Sequence, residues 1–568
     1  MPTIEVDFAE FVKLLGVELE TDTDRVNEVL AFAKGETKSI DEKTGLMNVE
    51  IKDTNRADLW NVEGLVRCLR GFLGLEKGLR KYTVGNVLAE VHVDGRLKRI
   101  RPFIACSVIK NLNLTDAVIR DIMQSQDKLD HTYGRNRRRA SIGLYDFDLI
   151  KQPFSYTVAK PDEVSFVPLG FDKSLSLREI LREHPKGVEY GSIVSGHPVY
   201  PILFDSGRKV LSFPPIINSN DLGRVTEDTR NVLVEVTGTV HETVLNTLKI
   251  VTLSLVDRGG KAHSALVHYE ADDKEEATPS FDAGCAVLNV AYANRMLDLD
   301  LSARQIAGLL EKAGYGVEKL GKDAVALKVP CYRVDIMHQV DLVEDVAIAY
   351  GYNNLKPFWR KLPTIGGARP EQGFLDVARE LMVGLGFQEV LTYDLTNPDN
   401  LFTRMNLKRG KVVELANPKV ETLTCLRSWL LPSLMEFFSC NLHVEYPQKI
   451  FELGAVTILD DSAETMTRDV DTLAAAVSDV KAGFTEVKAI LDAVLTNLGL
   501  HWQIQETKHA TFIEGRVGAV VVGGVAVGLI GEVHPKVLQA WGLGNPVAAF
   551  ELDMSKVARV KSRLVSSR

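Results

Sequence analysis

No stretch of this 568-residue chain is apolar for long enough to span a bilayer as a helix. The most apolar run, VGAVVVGGVAVGLIG at 517–531, is short, and its glycines and β-branched residues predict buried hairpin strands. Cysteine pairs are missing too. Cys68, Cys106, Cys285, Cys331, Cys425 and Cys440 lie far apart with no C-x-x-C, which gives no zinc signature and predicts reduced thiols in a cytoplasmic protein. The opening MPTIEVDFAEFVKLLG is acidic and amphipathic, so no secretory signal is expected. There is no G-x-x-x-x-G-K-[ST] phosphate loop, no G-x-G-x-x-G turn, no H-E-x-x-H helix and no G-x-S-x-G elbow. A formal charge of −9 argues against a chain that wraps nucleic acid over its whole surface, leaving only a local basic patch.

What is present suits a mixed α/β protein of about three to five domains. Hydrophobic and charged fractions of 45% and 25% are those of a folded globular chain. Up to residue 90, DFAEFVKLLGV and RADLWNVEGLVRCLRGFLGL read as helices around a strand MNVEIKD, with Asp58 as a candidate cap of the second helix. From 91 to 275 short β segments dominate, interrupted by helix patterns in TDAVIRDIMQSQDKLDH and HETVLNTLKIVTLSLVD. The acidic EADDKEEATPS at 270–280 is the expected linker. A compact unit to residue 355 follows, and residues 356–568 begin with the helix FLDVARELMVGLGF and form a last α/β domain.

Two charged clusters carry chemistry. Arg135, Arg137, Arg138 and Arg139 form a basic run that fits either a solvated loop or a phosphate contact. In CYRVDIMHQVDLVEDVAIAYGY, Asp335, Asp341, Glu344 and Asp345 stand within eleven positions. A helix starting near Asp341 would place Asp341, Glu344 and Asp345 on one face within a turn. Helix caps explain two of the acids; four fit either a solvated acidic face or an oxygen-only site for Mg2+ or Ca2+.

Eight separated segments, in order, carry a resemblance: NRADLWNVEGLVRCLRGFLG, KLDHTYGRNRRRASIGLYDFD, YPILFDSGRKVLSFPPIINSND, VEVTGT, PCYRVDIMHQVDLVEDVAIAYGYNNL, ANPKVETLTCLRSWLLPSLMEFFSCN, IFELG and IGEVHPKVL. Over essentially its full length the chain resembles the β subunits of phenylalanyl-tRNA synthetase of the archaeal and eukaryotic cytosolic type. The resemblance implies a multidomain α+β and α/β protein. Its domains would be an N-terminal module at 1–90, a tRNA-editing domain at 91–275, a winged-helix-like module with an acidic magnesium site at 276–355, and a class II catalytic-like antiparallel-sheet domain at 356–568.

It also implies a partner α subunit in a complex of two α and two β chains, with tRNA(Phe) as substrate and ATP bound by the α subunit. Neither membrane nor DNA is expected as a partner. Mg2+, shared with the α subunit, would sit on Asp335, Asp341, Glu344 and Asp345. No aminoacylation residue is expected in this chain, because the strand KIFELGAVTILDD lacks the ATP-clamping arginine and VAAFELDMSKVARV lacks the glycine-rich motif before the second. Editing would hydrolyse tyrosyl-tRNA, with Ser212, Asn218, Asn220 and Glu235 as candidates to hold the tyrosine hydroxyl or to satisfy local backbone. A free-standing editing hydrolase and a non-editing scaffold are the alternatives.

Overall fold

The computed structural model describes residues 2–359 and 364–566 and separates into two compact units, Met1–Phe358 and Trp359–Arg568. In the first, strands Thr3–Asp7, Leu46–Ile51 and Gly35–Ile40 pair in that order as a three-stranded sheet. Phe11 and Leu15 of helix Phe8–Leu15 and Leu65 and Leu69 of helix Val62–Phe72 pack with Ile4, Val49 and Ile51 of the strands. Asn61, not Asp58, caps the second helix, accepting the Gly64 amide at 2.7 Å. Asp58 is instead buried in an ion pair with Arg56 at 2.8 Å.

A ten-stranded mixed sheet follows. Its strands lie side by side as Ile217–Asn218, Val210–Phe213, Tyr200–Phe204, Phe154–Ala159, Gly85–Val93, Lys261–Tyr269, Phe103–Lys110, Val232–Gly238 and Ala140–Asp146. Strand Lys274–Thr278 pairs with Lys261–Tyr269, so the acidic stretch expected as a linker is a strand and its turn. Backbone pairing from Tyr269↔Lys274 to Ala265↔Thr278 overrides the unfavourable composition of that stretch. The first and last strands of the sheet, Gly85–Val93 and Lys274–Thr278, thus straddle the expected bounds 91 and 275. Helix His241–Asp257 buries Val244, Leu248 and Val251 against Val232, Val234 and Val236 on one face. The alternate residues of the same strands pack with Tyr145, Tyr156 and Leu203 on the other.

Residues 284–354 build a small module of strands Gly284–Asn289, Ala324–Val329 and Gly316–Leu320 with three helices. Ser302 and Gln305 form a capping box for helix Ala303–Lys312; His338 and Asp341 do the same for helix Gln339–Tyr350.

The second unit is a seven-stranded sheet, antiparallel except where Gln388–Glu389 runs parallel to Gln448–Leu459. Helices Pro370–Gly384, Phe484–Asn497 and Met554–Ser566 lie on one face, and Leu431–Cys440 with Pro535–Ala540 on the other. The run 517–531 forms the hairpin its glycines foretold, with Gly523 and Gly524 at positive φ between paired strands Phe512–Val522 and Val525–Val533. No helix among the described residues is long and apolar enough to cross a membrane.

Candidate functional site

Strand Val232–Gly238 is buried along its whole length between two neighbours, yet its middle residue is a glutamate. Glu235 stands opposite Cys106 on one side and Gly143 on the other. Glycine is required there: a Cβ at 143 would sit 2.5 Å from the Tyr145 hydroxyl and closer still to Glu235 Oε2. In the space it leaves, the Tyr145 hydroxyl lies 2.8 Å from Glu235 Oε2 and 2.8 Å from Ser212 Oγ. Having one proton, it can donate to only one of them at a time. Glu235 Oε1 is buried and has no hydrogen-bond partner. Burial pushes the Glu235 carboxyl up to about 7, against the opposing pull of the Tyr145 hydroxyl and the Arg101 guanidinium.

Glu235 and Ser212 line a cleft of about 920 Å³ where the two end strands of the sheet approach each other, with Tyr145 bonded behind them. Asn218 Nδ2 bridges the seam by donating to the Leu144 carbonyl at 3.2 Å. Ser212, Asn218 and Glu235 are therefore brought together, with Ile142, Leu144, Phe213 and Ile216 as apolar wall. Asn220 does not line the cleft; its amide donates to the Val167 carbonyl at 2.8 Å. Sequence reading missed Tyr145 and Gly143, because Tyr145 lies 90 residues from Glu235 and nothing local marks the pair.

The one histidine lining the cleft, His184, has both ring nitrogens engaged. Nδ1 accepts the Lys186 amide at 3.1 Å and Nε2 lies 3.2 Å from the Leu169 carbonyl. It is thus not placed as a free base for a nucleophilic serine.

The basic run divides. Arg137 Nη1 donates to the Pro215 and Ile216 carbonyls at 3.1 and 2.9 Å, Nε pairs with Asp130 at 2.9 Å, and the guanidinium lies 4.4 Å from the Tyr190 ring centre. That side chain fastens one wall of the cleft. Arg135, Arg138 and Arg139 are exposed.

The acidic stretch also divides. Asp335 receives Arg333 through two bonds, at 2.9 and 2.7 Å, and Asp345 accepts from Arg333 at 2.9 Å and from the Tyr315 hydroxyl at 2.6 Å. Burial alone would raise Asp335; the Arg333 guanidinium overrides it and holds the carboxyl below its usual range. Asp341 Oδ2 accepts the Met337 and His338 amides at 2.8 and 2.7 Å, and Glu344 pairs with Lys34 of the N-terminal module. Each acid therefore already has a positive or donor partner. In this arrangement the inner pair, Asp335 and Asp345, has nearly buried side chains and does not fit a four-carboxylate ion site, while Asp341 is half-buried and Glu344 is exposed.

In the second unit Glu452, from IFELG, binds Arg427 at 2.6 Å. Arg427 is buried and also donates to the Ala455 carbonyl and the Thr392 hydroxyl at 2.9 Å each. Its donors are spent inside the fold.

Residues 286–352 match the tRNA synthetase B5 domain, and residues 359–554 match the phenylalanyl-tRNA synthetase β chain CLM domain. The phenylalanine–tRNA ligase β subunit of Thermococcus onnurineus is 43% identical over 98% of this chain and 99% of its own length. That of Pyrococcus furiosus is 42% identical over 98% and 100%. A crystal structure of an N-terminal fragment of the phenylalanyl-tRNA synthetase β subunit from Pyrococcus horikoshii aligns with a TM-score of 0.59 at 40% identity, covering 62% of this chain and 100% of the fragment. With such identity sustained from end to end, the chain belongs to the family of phenylalanine–tRNA ligase β subunits.

Proposed function

We propose that this chain works with an α subunit, two copies of each, in the ATP- and Mg2+-dependent attachment of phenylalanine to tRNA(Phe), and that its cleft at Glu235 removes tyrosine attached in error. The observation that carries the editing reading is the buried, unpartnered Oε1 of Glu235 on the cleft wall. A tyrosyl group would supply the missing partner through its phenol hydroxyl; a phenylalanyl group would leave Oε1 unpaired. An unmade bond at a buried polar atom costs about 1–3 kcal/mol, and sites built this way discriminate strongly. The aminoacyl ester is already activated by the ribose, so a positioned water suffices and no triad is needed. Arg135, Arg138 and Arg139 are the candidate contacts to the RNA backbone.

Glu235→Ala in the assembled enzyme is expected to lower tyrosyl-tRNA deacylation at least about tenfold, with phenylalanine charging unchanged. Full deacylation by that variant would refute the assignment to Glu235, whereas a parent complex that charges normally and leaves tyrosyl-tRNA intact would favour the non-editing scaffold.

The class II-like sheet of the second unit is proposed to be an assembly domain. Arg427 is occupied internally, while Leu391 and Tyr393 are 84% and 81% exposed, as an apolar interface to the α subunit would require. Mg2+ is proposed to act at the acidic stretch through Asp341 and Glu344, with Asp335 and Asp345 as further ligands only if they leave Arg333. Asp341→Asn with Glu344→Gln is expected to weaken αβ association or its Mg2+ dependence, measured by analytical ultracentrifugation across Mg2+ concentrations. Unchanged assembly at low Mg2+ would leave these residues as an ordinary helix cap and surface pair.

A further inference from the structure

Far from the acidic stretch in sequence, the ten-stranded sheet places a second set of metal-ligating side chains together. Strands Gly85–Val93 and Lys261–Tyr269 run parallel in a register that sets His92 beside His268 and Glu90 beside Leu266. Strand Lys274–Thr278 then sets Glu275 beside His268. Because side chains alternate, Glu90 and His92 share the face opposite the buried Ala89, Val91 and Val93. The two imidazoles stack with centres 4.8 Å apart and planes within 12°. Glu90, His92 and His268 each offer a ligand atom within 4.8 Å of the others.

Stacking alone does not account for the bonding of His268. Its Nδ1 lies 3.0 Å from Glu275 Oε1, and since an ionised carboxylate only accepts, Nδ1 carries the proton. The neutral ring then keeps its lone pair on Nε2, which is buried and without a hydrogen-bond partner. A carboxylate holding one nitrogen of an imidazole while the other presents a lone pair is the arrangement that orients metal-bound histidines.

We propose that Glu90, His92 and His268 bind a late first-row divalent ion, Zn2+ by preference, with Glu275 positioning His268. Two imidazoles and a carboxylate suit zinc and not the harder Mg2+ or Ca2+. Zinc–nitrogen bonds of about 2.0–2.1 Å require the ligand atoms to draw together by on the order of 1 Å, which half-exposed side chains achieve by rotation. A water would complete the tetrahedron. The ion would clip the parallel pair that joins the beginning of this sheet to its end.

The test uses the full chain, freed of metal with EDTA and then dialysed, and titrated with Co2+ followed by displacement with Zn2+. One equivalent of Co2+ should give a visible d–d band that Zn2+ abolishes, and Zn2+ should raise the melting midpoint. His92→Asn and His268→Asn should lose the band, and Glu275→Gln should weaken binding about 10–100-fold. Glu90→Gln, at an exposed carboxylate, should weaken binding at least about tenfold and serves if a histidine variant fails to fold. Asp341→Asn with Glu344→Gln should leave the band intact, separating this site from the acidic stretch. Absence of a stoichiometric band from the parent chain, or a band that survives both histidine substitutions, would overturn the proposal.

Discussion

Arg333→Met tests whether an internal cation, provided by the chain itself, holds the acids at 335–345 in place. The side chains of Arg333, Asp335 and Asp345 are 3%, 6% and 4% exposed, so solvent screens them little. Arg333 Nη2 reaches both carboxylates at once, and removing the guanidinium leaves two buried negative charges. Breaking one side of a buried pair costs about 3–5 kcal/mol. Two partners remain, Arg56 at 3.9 Å from Asp335 and the Tyr315 hydroxyl on Asp345, which places the expectation near about 3 kcal/mol.

The pH dependence has a definite sign. In the parent chain the folded value of Asp335 is depressed, so its contribution is complete at neutral pH and is lost as pH falls through that depressed value. In the variant burial acts without the guanidinium and raises it, so ionised Asp335 opposes folding at neutral pH and protonation relieves the opposition. The stability gap between the two proteins should therefore narrow from pH 7 toward about pH 4. Urea unfolding, with amide exchange of helix Gln339–Tyr350 as the local readout, measures it. A loss below about 1 kcal/mol, or a gap independent of pH, would refute the reasoning. Adding Asp335→Asn and Asp345→Asn to Arg333→Met should recover part of the loss, because no uncompensated charge is then buried.

Gly143→Ala forces a methyl group between Glu235 and Tyr145 and should cost about 1–3 kcal/mol, visible as a lowered melting midpoint, with tyrosyl-tRNA deacylation falling and charging spared. Glu551 accepts the Leu430 and Leu431 amides at 3.0 and 2.8 Å, and burial pushes it up to about 7 from 4.5. A raised carboxyl makes stability fall as pH rises between those two values, by on the order of 3 kcal/mol, and stay flat above. Glu551→Gln should reduce that slope in the unfolding free energy, leaving the part that the equally raised Glu235 contributes; a slope unchanged in the variant would exclude Glu551 as a source.

Much of the architecture could be read without coordinates, because it rests on local physics. Helical spacing in VEGLVRCLRGF, the glycine pair at 523–524 and the short apolar β segment NVLVEVTGT each act within one element, and each element formed where its pattern lay. Where local preference competes with pairing, the sequence misled: EADDKEEATPS has the composition of a linker and is a sheet strand, since the adjacent strand supplies the hydrogen bonds its residues do not favour. Asp58 has the chemistry of a helix cap and is drawn to Arg56 instead, leaving Asn61 to cap.

For the sites, sequence determined the residue types, and only the tertiary structure decided their company. Glu235 was a candidate through the resemblance carried by VEVTGT, but the space at Gly143 and the shared Tyr145 hydroxyl depend on register across strands distant in sequence. The four acids were plain in the sequence, and their spacing suggested a single cluster. Folding gives Asp335 and Asp345 to Arg333, Asp341 to a helix end and Glu344 to Lys34, because a buried charge takes the nearest opposite charge or donor that tertiary packing provides.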